Sequence, residues 1–196
     1  RMYDLLELYT RSYCEDEPVI CVDEKSKQLL ELLRAPIPAS PGHPVKEDCE
    51  YKRAGTRNIF MAVEPKGGCR QVEVTTRRTK GDFVQFIGHL VKKVSVRARK
   101  IHLVLDNLNT HFRNSFEEIL GVKEATQMLE RVEFHYTPKH ASWLNMAEIE
   151  IGIMDRQCTG CRIPNEQTLR SEVAAWTDRR NQAKSTIDWK FYTTRC

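Results

Sequence analysis

Nowhere does the chain approach the ~18 consecutive apolar residues that a membrane-spanning helix needs, so these residues hold no membrane-spanning helix. The opening segment RMYDLLELYTRSYCEDE is too polar for a secretory leader. Cysteines number seven, at 14, 21, 49, 69, 158, 161 and 196, an odd count at irregular spacing. That argues against a disulfide framework and for reduced thiols. The one C-x-x-C, Cys158 to Cys161, has no second Cys or His pair at zinc-finger spacing. No strand-like run leads into Gly-x-Gly-x-x-Gly or a P-loop, which disfavours a nucleotide-binding enzyme. An excess of one charge is missing as well: 31 basic against 27 acidic residues leave only +4. This balance allows a polyanionic partner without demanding one, so a nucleic-acid surface must come from local clustering.

What remains is a chain of 196 residues with 40% apolar content, enough for one domain with a core. It starts at Arg1 inside a helix-like stretch and stops at Cys196 just past an extended one. The expectation is a helix and linker over 1–17, left from a missing region, and one domain over 18–196 with a truncated C-terminus.

Two short apolar runs end on a carboxylate. Val19-Ile20-Cys21-Val22 runs into Asp23, and Ile101 to Leu105 runs into Asp106-Asn107. Runs of this length and branching read as buried strands. Each would deliver its acid at a strand's C-terminal end, where open α/β sheets bind ligands. The alternative for Asp106 alone is a turn residue or helix N-cap. Between the two runs, Asn58–Val63 and Arg70–Thr76 flank Lys66-Gly67-Gly68 and read as a hairpin. Gly81–Val96 carries Phe83, Phe86, Ile87, Leu90, Val91 and Val94 at helical spacing. Lys92, Lys93, Arg97, Arg99 and Lys100 crowd its end, either complementing the helix dipole or facing DNA. Helices are expected over Met2–Tyr13, Asn114–Leu120, Lys123–Leu129, Trp143–Gln157 and Glu166–Ala183. One or two helical turns are expected over Ser26–Leu33, a Pro-rich loop over Arg34–Lys46, and strands over Val132–Tyr136 and Trp189–Tyr192. Interleaved strands and helices make the class α/β with a mixed sheet, in the order of a ribonuclease-H-like domain: a mixed five-stranded sheet flanked by helices.

If the first and fourth strands are neighbours, Asp23 and Asp106 end side by side. Such carboxylates repel unless a cation intervenes, and oxygen-only ligands suit magnesium or manganese. A third acid is available at Glu148 or Glu150. At 100° per residue Asn145, Glu148, Gly152 and Asp155 share a polar stripe while Glu150 lies between Met146 and Met154, which favours Glu148. Asp155 is a supporting group or simply exposed.

Asp23 in CVDEKS, Asp106 in LVLDNLNTH and Glu148 in YTPKHASWLNMAEIE resemble the catalytic core of the DDE transposases, in particular the bacterial insertion-sequence branch of the mariner superfamily. Pro138, Ser142, Leu144, Asn145 and Glu148 match that branch's Pro-x-x-Ser…Leu-Asn-x-x-Glu signature; Met146 stands where it usually has Pro. Gly55–Met61, Arg156-Gln157-Cys158 and Arg162-Ile163-Pro164 are similar too. The resemblance implies metal-dependent DNA cleavage and strand transfer at insertion-element ends. Asp23 would bridge two Mg2+ or Mn2+ ions, completed by Asp106 and Glu148. It implies double-stranded DNA as partner, as element ends and as a target that is typically a TA step, a deformable one. It further implies a homodimer of the full-length protein and a cytoplasmic, nucleoid-associated location. Asn107, His111, Lys139, His140 and Asn145 are candidate supporting or DNA-contacting groups. His135, Arg77, Arg78 and Lys80 are candidate phosphate contacts, which position DNA without reading it. The competing readings are a nuclease of the same fold and a non-catalytic DNA-binding or assembly domain.

Overall fold

The computed structural model describes residues 2–46, 48–106 and 113–189. Five strands make one mixed sheet: β1 (Val19–Leu32), β2 (Tyr51–Glu64), β3 (Cys69–Thr75), β4 (Ile101–Leu105) and β5 (Val132–Tyr136). Their spatial order is β3-β2-β1-β4-β5. The first three are antiparallel, while β1, β4 and β5 run parallel. The helices are α1 (Met2–Thr10), α2 (Lys80–Val94), α3 (Arg113–Leu120), α4 (Val122–Met128), α5 (Met146–Met154) and α6 (Glu166–Gln182). The expected five-stranded, ribonuclease-H-like arrangement is the one observed, and among the described residues no helix is long and apolar enough to cross a membrane.

Strand alternation divides the core between two faces. Ile20, Val22, Phe60, Ala62, Leu103 and Leu105 pack under the aromatic ridge of α2 and under Phe116 of α3. A capping box starts α2: Thr79 accepts from the Asp82 amide and the Asp82 carboxylate accepts from the Thr79 amide. On the opposite face, Ile59, Met61 and Val74 meet Met154, Leu169, Val173 and Trp176. Cys21, Val63 and Val104 meet Leu5, Leu8 and Tyr9 of α1 and Ala147 of α5. α1 is thus packed into the sheet, and the buried Tyr9 hydroxyl donates to the Leu144 carbonyl at 2.8 Å. Burial pushes the Tyr9 hydroxyl far above its usual range and the Cys21 thiol up to about 11.

Two expectations are corrected. Ser26–Leu33 is not helical: β1 continues to Leu32, paired with β2 as far as Tyr51, with a bulge between Gln28 and Leu30. Its Lys, Gln, Leu and Glu residues favour a helix, and cross-strand pairing overrides that weak preference. Lys25 pairs with Asp155, and Lys27 donates to the carbonyls of Thr159 and Cys161. Long β1 is therefore stitched to the end of α5. Secondly, Trp143–Gln157 is not one helix. A 3-10 turn at Ser142–Leu144 precedes α5, and a π-helical turn follows at Asp155–Thr159, where the Thr159 hydroxyl donates to Asp155 at 2.7 Å. The expected Arg34–Lys46 loop is observed, closed on itself by backbone bridges Ile37–Lys46 and Ser40–His43. Of the expected strand at Trp189–Tyr192, only Trp189 is among the described residues, outside any strand.

Candidate active site

The parallel register pairs Cys21 with Val104. Two residues further along each strand stand Asp23 and Asp106, so neighbouring strands present both acids at one end of the sheet. Alternation assigns them the side of Cys21 and Val104, which is the side of α5. Asn145 brings α5 to this point. Its side-chain amide donates to the Val22 carbonyl at 2.9 Å, and its side-chain oxygen accepts from the Ala147 amide at 3.2 Å. One buried side chain thus caps the helix and ties its first turn to the strand that carries Asp23. Glu148 lies in that first turn, exposed.

Asp23 is mostly buried. The Glu24 amide donates to it at 2.8 Å, and among the described residues no lysine or arginine pairs with it. Its carboxyl is pushed up to about 7, chiefly by burial and then by the negative charges of Asp106, Glu24 and Glu148. The three acids therefore share one electrostatic environment. They are spread more widely than a tight cluster: among the described residues, the only His, Cys, Asp and Glu group with all ligand atoms within 4.8 Å is His102, Glu133 and His135. An oxygen-only donor set around a mostly buried carboxylate whose charge is destabilised fits hard divalent ions.

Glu150, the other sequence candidate for the third acid, has a different setting. It is fully buried and engaged by two arginines: Arg70 donates to it at 2.6 Å, and Arg180 donates to both its oxygens at 2.9 and 3.0 Å. Arg70 further donates to the carbonyls of Gly68 and Ser185. This network locks β3, α5 and α6 together.

Lys139 and His140 are exposed in the turn after β5. That loop leaves the sheet where the Thr137 amide donates to Leu105, the residue before Asp106. His140 holds a positive φ of 66°, tolerated by few non-glycine residues. Asn107 and His111 lie outside the described residues. Arg77, Arg78 and Lys80 follow β3 at the same end of the sheet as the acids, and Arg78 reaches Glu24 at 3.3 Å. Lys80 pairs with Glu118 at 2.7 Å.

Two readings of basic groups need correction. The cluster at the end of α2 stands at the start of β4, so the length of the strand, roughly 17 Å at ~3.3 Å per residue, separates it from Asp106. Arg97, Arg99 and Lys100 are paired there with Glu64, Glu17 and Glu133, so their role is to hold the fold. His135, expected near phosphate, is buried beside His102 and bonded to Asp4 of α1. Sequence reading missed Lys25 and Lys27, whose polar surroundings carry no pattern. It also missed the pairing of His102 with His135, which lie 33 positions apart and meet only through strand register.

A profile of the DDE superfamily endonuclease family matches residues 18–170. A search of curated protein sequences finds no match. Among solved structures, the chain is similar to the Mos1 mariner paired end complex with Mn, at 14% identity and a TM-score of 0.58 over 93% of this chain and 56% of the other. The Mos1 paired-end complex with the left transposon end gives 12% identity and a TM-score of 0.57 over 94% and 56%. The isolated catalytic domain of Mos1 mariner transposase gives 11% and 0.50, over 93% and 87%. These likenesses show the shared fold, and the chain spans little more than half the length of the Mos1 chains in those two complexes.

Proposed function

Because the chain belongs to the DDE superfamily endonucleases, we propose that it is a transposase catalytic domain that cuts DNA at insertion-element ends and joins them to target DNA. The observation that carries this reading is geometric: the parallel register sets Asp23 and Asp106 at one end of adjacent strands, and Asn145 ties the first turn of α5, with Glu148, to the strand of Asp23. Acids from two adjacent strands and one capped helix lie at the same end of the sheet, and among the described residues no lysine or arginine pairs with Asp23. Asp23, Asp106 and Glu148 would hold Mg2+ or Mn2+, two ions in the full reaction. When bound, such ions make the attacking oxygen nucleophilic and stabilise charge on the leaving oxygen.

The chain's own residues supply the rest. Asn145 fixes the distance of Glu148 from β1. Glu150 is committed to its arginines, which supports Glu148 as the third acid. Lys139, His140, Arg77, Arg78 and Lys80 flank the acidic end and would hold the DNA backbone, fixing its position without reading its sequence. Asn107 and His111, next along the chain from Asp106, would contact DNA or support that acid. The substrate would be double-stranded DNA, with a deformable TA step as target. The paired ends in the Mos1 complexes support a homodimer of the full-length protein, since two DNA ends must be handled together. Such a substrate would keep the protein with the chromosome.

The test is nicking of supercoiled plasmid with and without Mg2+ or Mn2+, beside Asp106→Asn. Metal-dependent nicking lost in the variant is the expected result, and strand transfer of a pre-cut end would then separate transposase from nuclease. If neither ion binds or supports nicking, the catalytic reading fails.

A further inference from the structure

On the same face of the sheet as α1, well away from Asp23 in sequence, β4 and β5 bring together a second set of ligating side chains. His102 and Glu133 are direct partners across the parallel strands, and His135 is two residues further along β5, so all three share one face. Both imidazoles are buried, while Glu133 is half-exposed. His102 Nδ1 lies 3.0 Å from His135 Nε2 and 3.5 Å from Glu133 Oε2, and His135 Nε2 lies 3.9 Å from Glu133 Oε1. A tetrahedral zinc ion with bonds of ~2.0–2.1 Å holds its ligand atoms about 3.3 Å apart. The three separations bracket that value.

The surroundings match a metal-bound histidine as well. Zinc-ligating imidazoles donate their other ring N–H to a carboxylate, which fixes the tautomer. His135 Nδ1 lies 3.1 Å from Asp4 Oδ2. With that bond made, Nε2 of His135 carries a lone pair directed at His102. Without metal, His102 Nδ1–H donates to it; moving that proton to Nε2 of His102 frees the second lone pair, with no proton lost. Two imidazole nitrogens and a carboxylate are donors of the borderline type that zinc prefers over magnesium.

We propose that His102, His135 and Glu133 form a zinc site that clamps β4, β5 and, through Asp4, helix α1. A fourth position is left to water. Lys100, which pairs with Glu133, is the resident competitor for the carboxylate. The site is separate from the Asp23 site in ligands and in metal preference, so the two can fail independently.

The experiment is titration of the tag-free, chelator-treated chain with Co2+ as a spectroscopic stand-in, followed by displacement with Zn2+. One equivalent of Co2+ should give tetrahedral d–d bands without thiolate charge transfer. The bands should persist in Asp23→Asn/Asp106→Asn and in Cys158→Ser/Cys161→Ser, and in millimolar Mg2+. Asp4→Asn, a change at an exposed position, should weaken Zn2+ about 10- to 100-fold, and Lys100→Gln should tighten it. His102→Gln and His135→Gln should abolish the bands; circular dichroism checks their folding, and the Asp4 and Lys100 variants decide the matter if they unfold. Absence of tetrahedral bands in the folded parent chain overturns the proposal. So does binding that vanishes in the cysteine or aspartate variants, or that ignores both Asp4→Asn and Lys100→Gln.

Discussion

Replacing Asp23 with Asn should stabilise the metal-free protein while destroying its activity. The carboxyl is raised from an ordinary 3.8 to about 7 by burial and by neighbouring negative charge. At ~1.36 kcal/mol per tenfold change in proton affinity, holding Asp23 ionised costs up to about 4 kcal/mol. Asp23 is not wholly enclosed, and solvent relaxation should reduce this to about 2 kcal/mol. The sign follows from linkage: the folded-state value lies above the unfolded one, so the stabilisation is complete below pH ~4 and is lost as the pH rises through about 7. Asn keeps the shape and the acceptor for the Glu24 amide but carries no charge. The assay is urea unfolding in EDTA at pH 5 and pH 8.5. With an m-value of ~2 kcal/mol/M, the Asn variant should unfold about 1 M urea later than the parent at pH 8.5, and the gap should shrink at pH 5. Adding Mg2+ at pH 8.5 should stabilise the parent and not the variant. A gap of equal size at both pH values, or none at pH 8.5, would refute the electrostatic account of this site.

Other substitutions probe the remaining parts. Glu148→Gln should lower metal-dependent nicking by about 100-fold or more, as expected when several kcal/mol of transition-state charge stabilisation are lost; Glu150→Gln in the same assay reports mainly on the amount of folded protein. Glu150→Ala leaves Arg70 buried without its partner and should cost roughly 3–5 kcal/mol, read by calorimetry as a Tm lower by about 10 °C at ~2–4 °C per kcal/mol. Asn145→Ala removes the cap of α5 and leaves the Val22 carbonyl unpaired. It should destabilise by about 2–3 kcal/mol in urea titration, and activity per folded molecule should fall as Glu148 loses its anchor. Arg78→Ala should weaken plasmid binding with a shallower salt dependence, measured by fluorescence anisotropy, whereas Lys93→Ala, at the far end of the sheet, should leave binding unchanged.

The strand-then-acid pattern at Asp23 and Asp106 was legible because a short branched run needs a core on both sides and must end where the core ends. The aromatic spacing of α2 was equally plain. Other parts depended on contacts distant in sequence. Ser26–Leu33 has no strand pattern of its own and is extended because β2 pairs along it to Tyr51. The π turn after α5 arises where Lys25 and Lys27 reach Asp155, Thr159 and Cys161. For the basic cluster at 92–100 the sequence left two readings, the helix dipole or a DNA face, and folding brings acids to Arg97, Arg99 and Lys100.

The division between Glu148 and Glu150 shows the difference most clearly. Sequence periodicity alone determined that they lie on different sides of one helix, because residues two apart in an α-helix are turned about 200° from each other. Which side faced the aspartates and which faced a pair of arginines depended on Arg70 in β3 and Arg180 in α6, residues 80 and 30 positions away. Helical phase is a local property carried by the chain itself. The charge that meets each carboxylate is set by packing, which only the tertiary structure supplies.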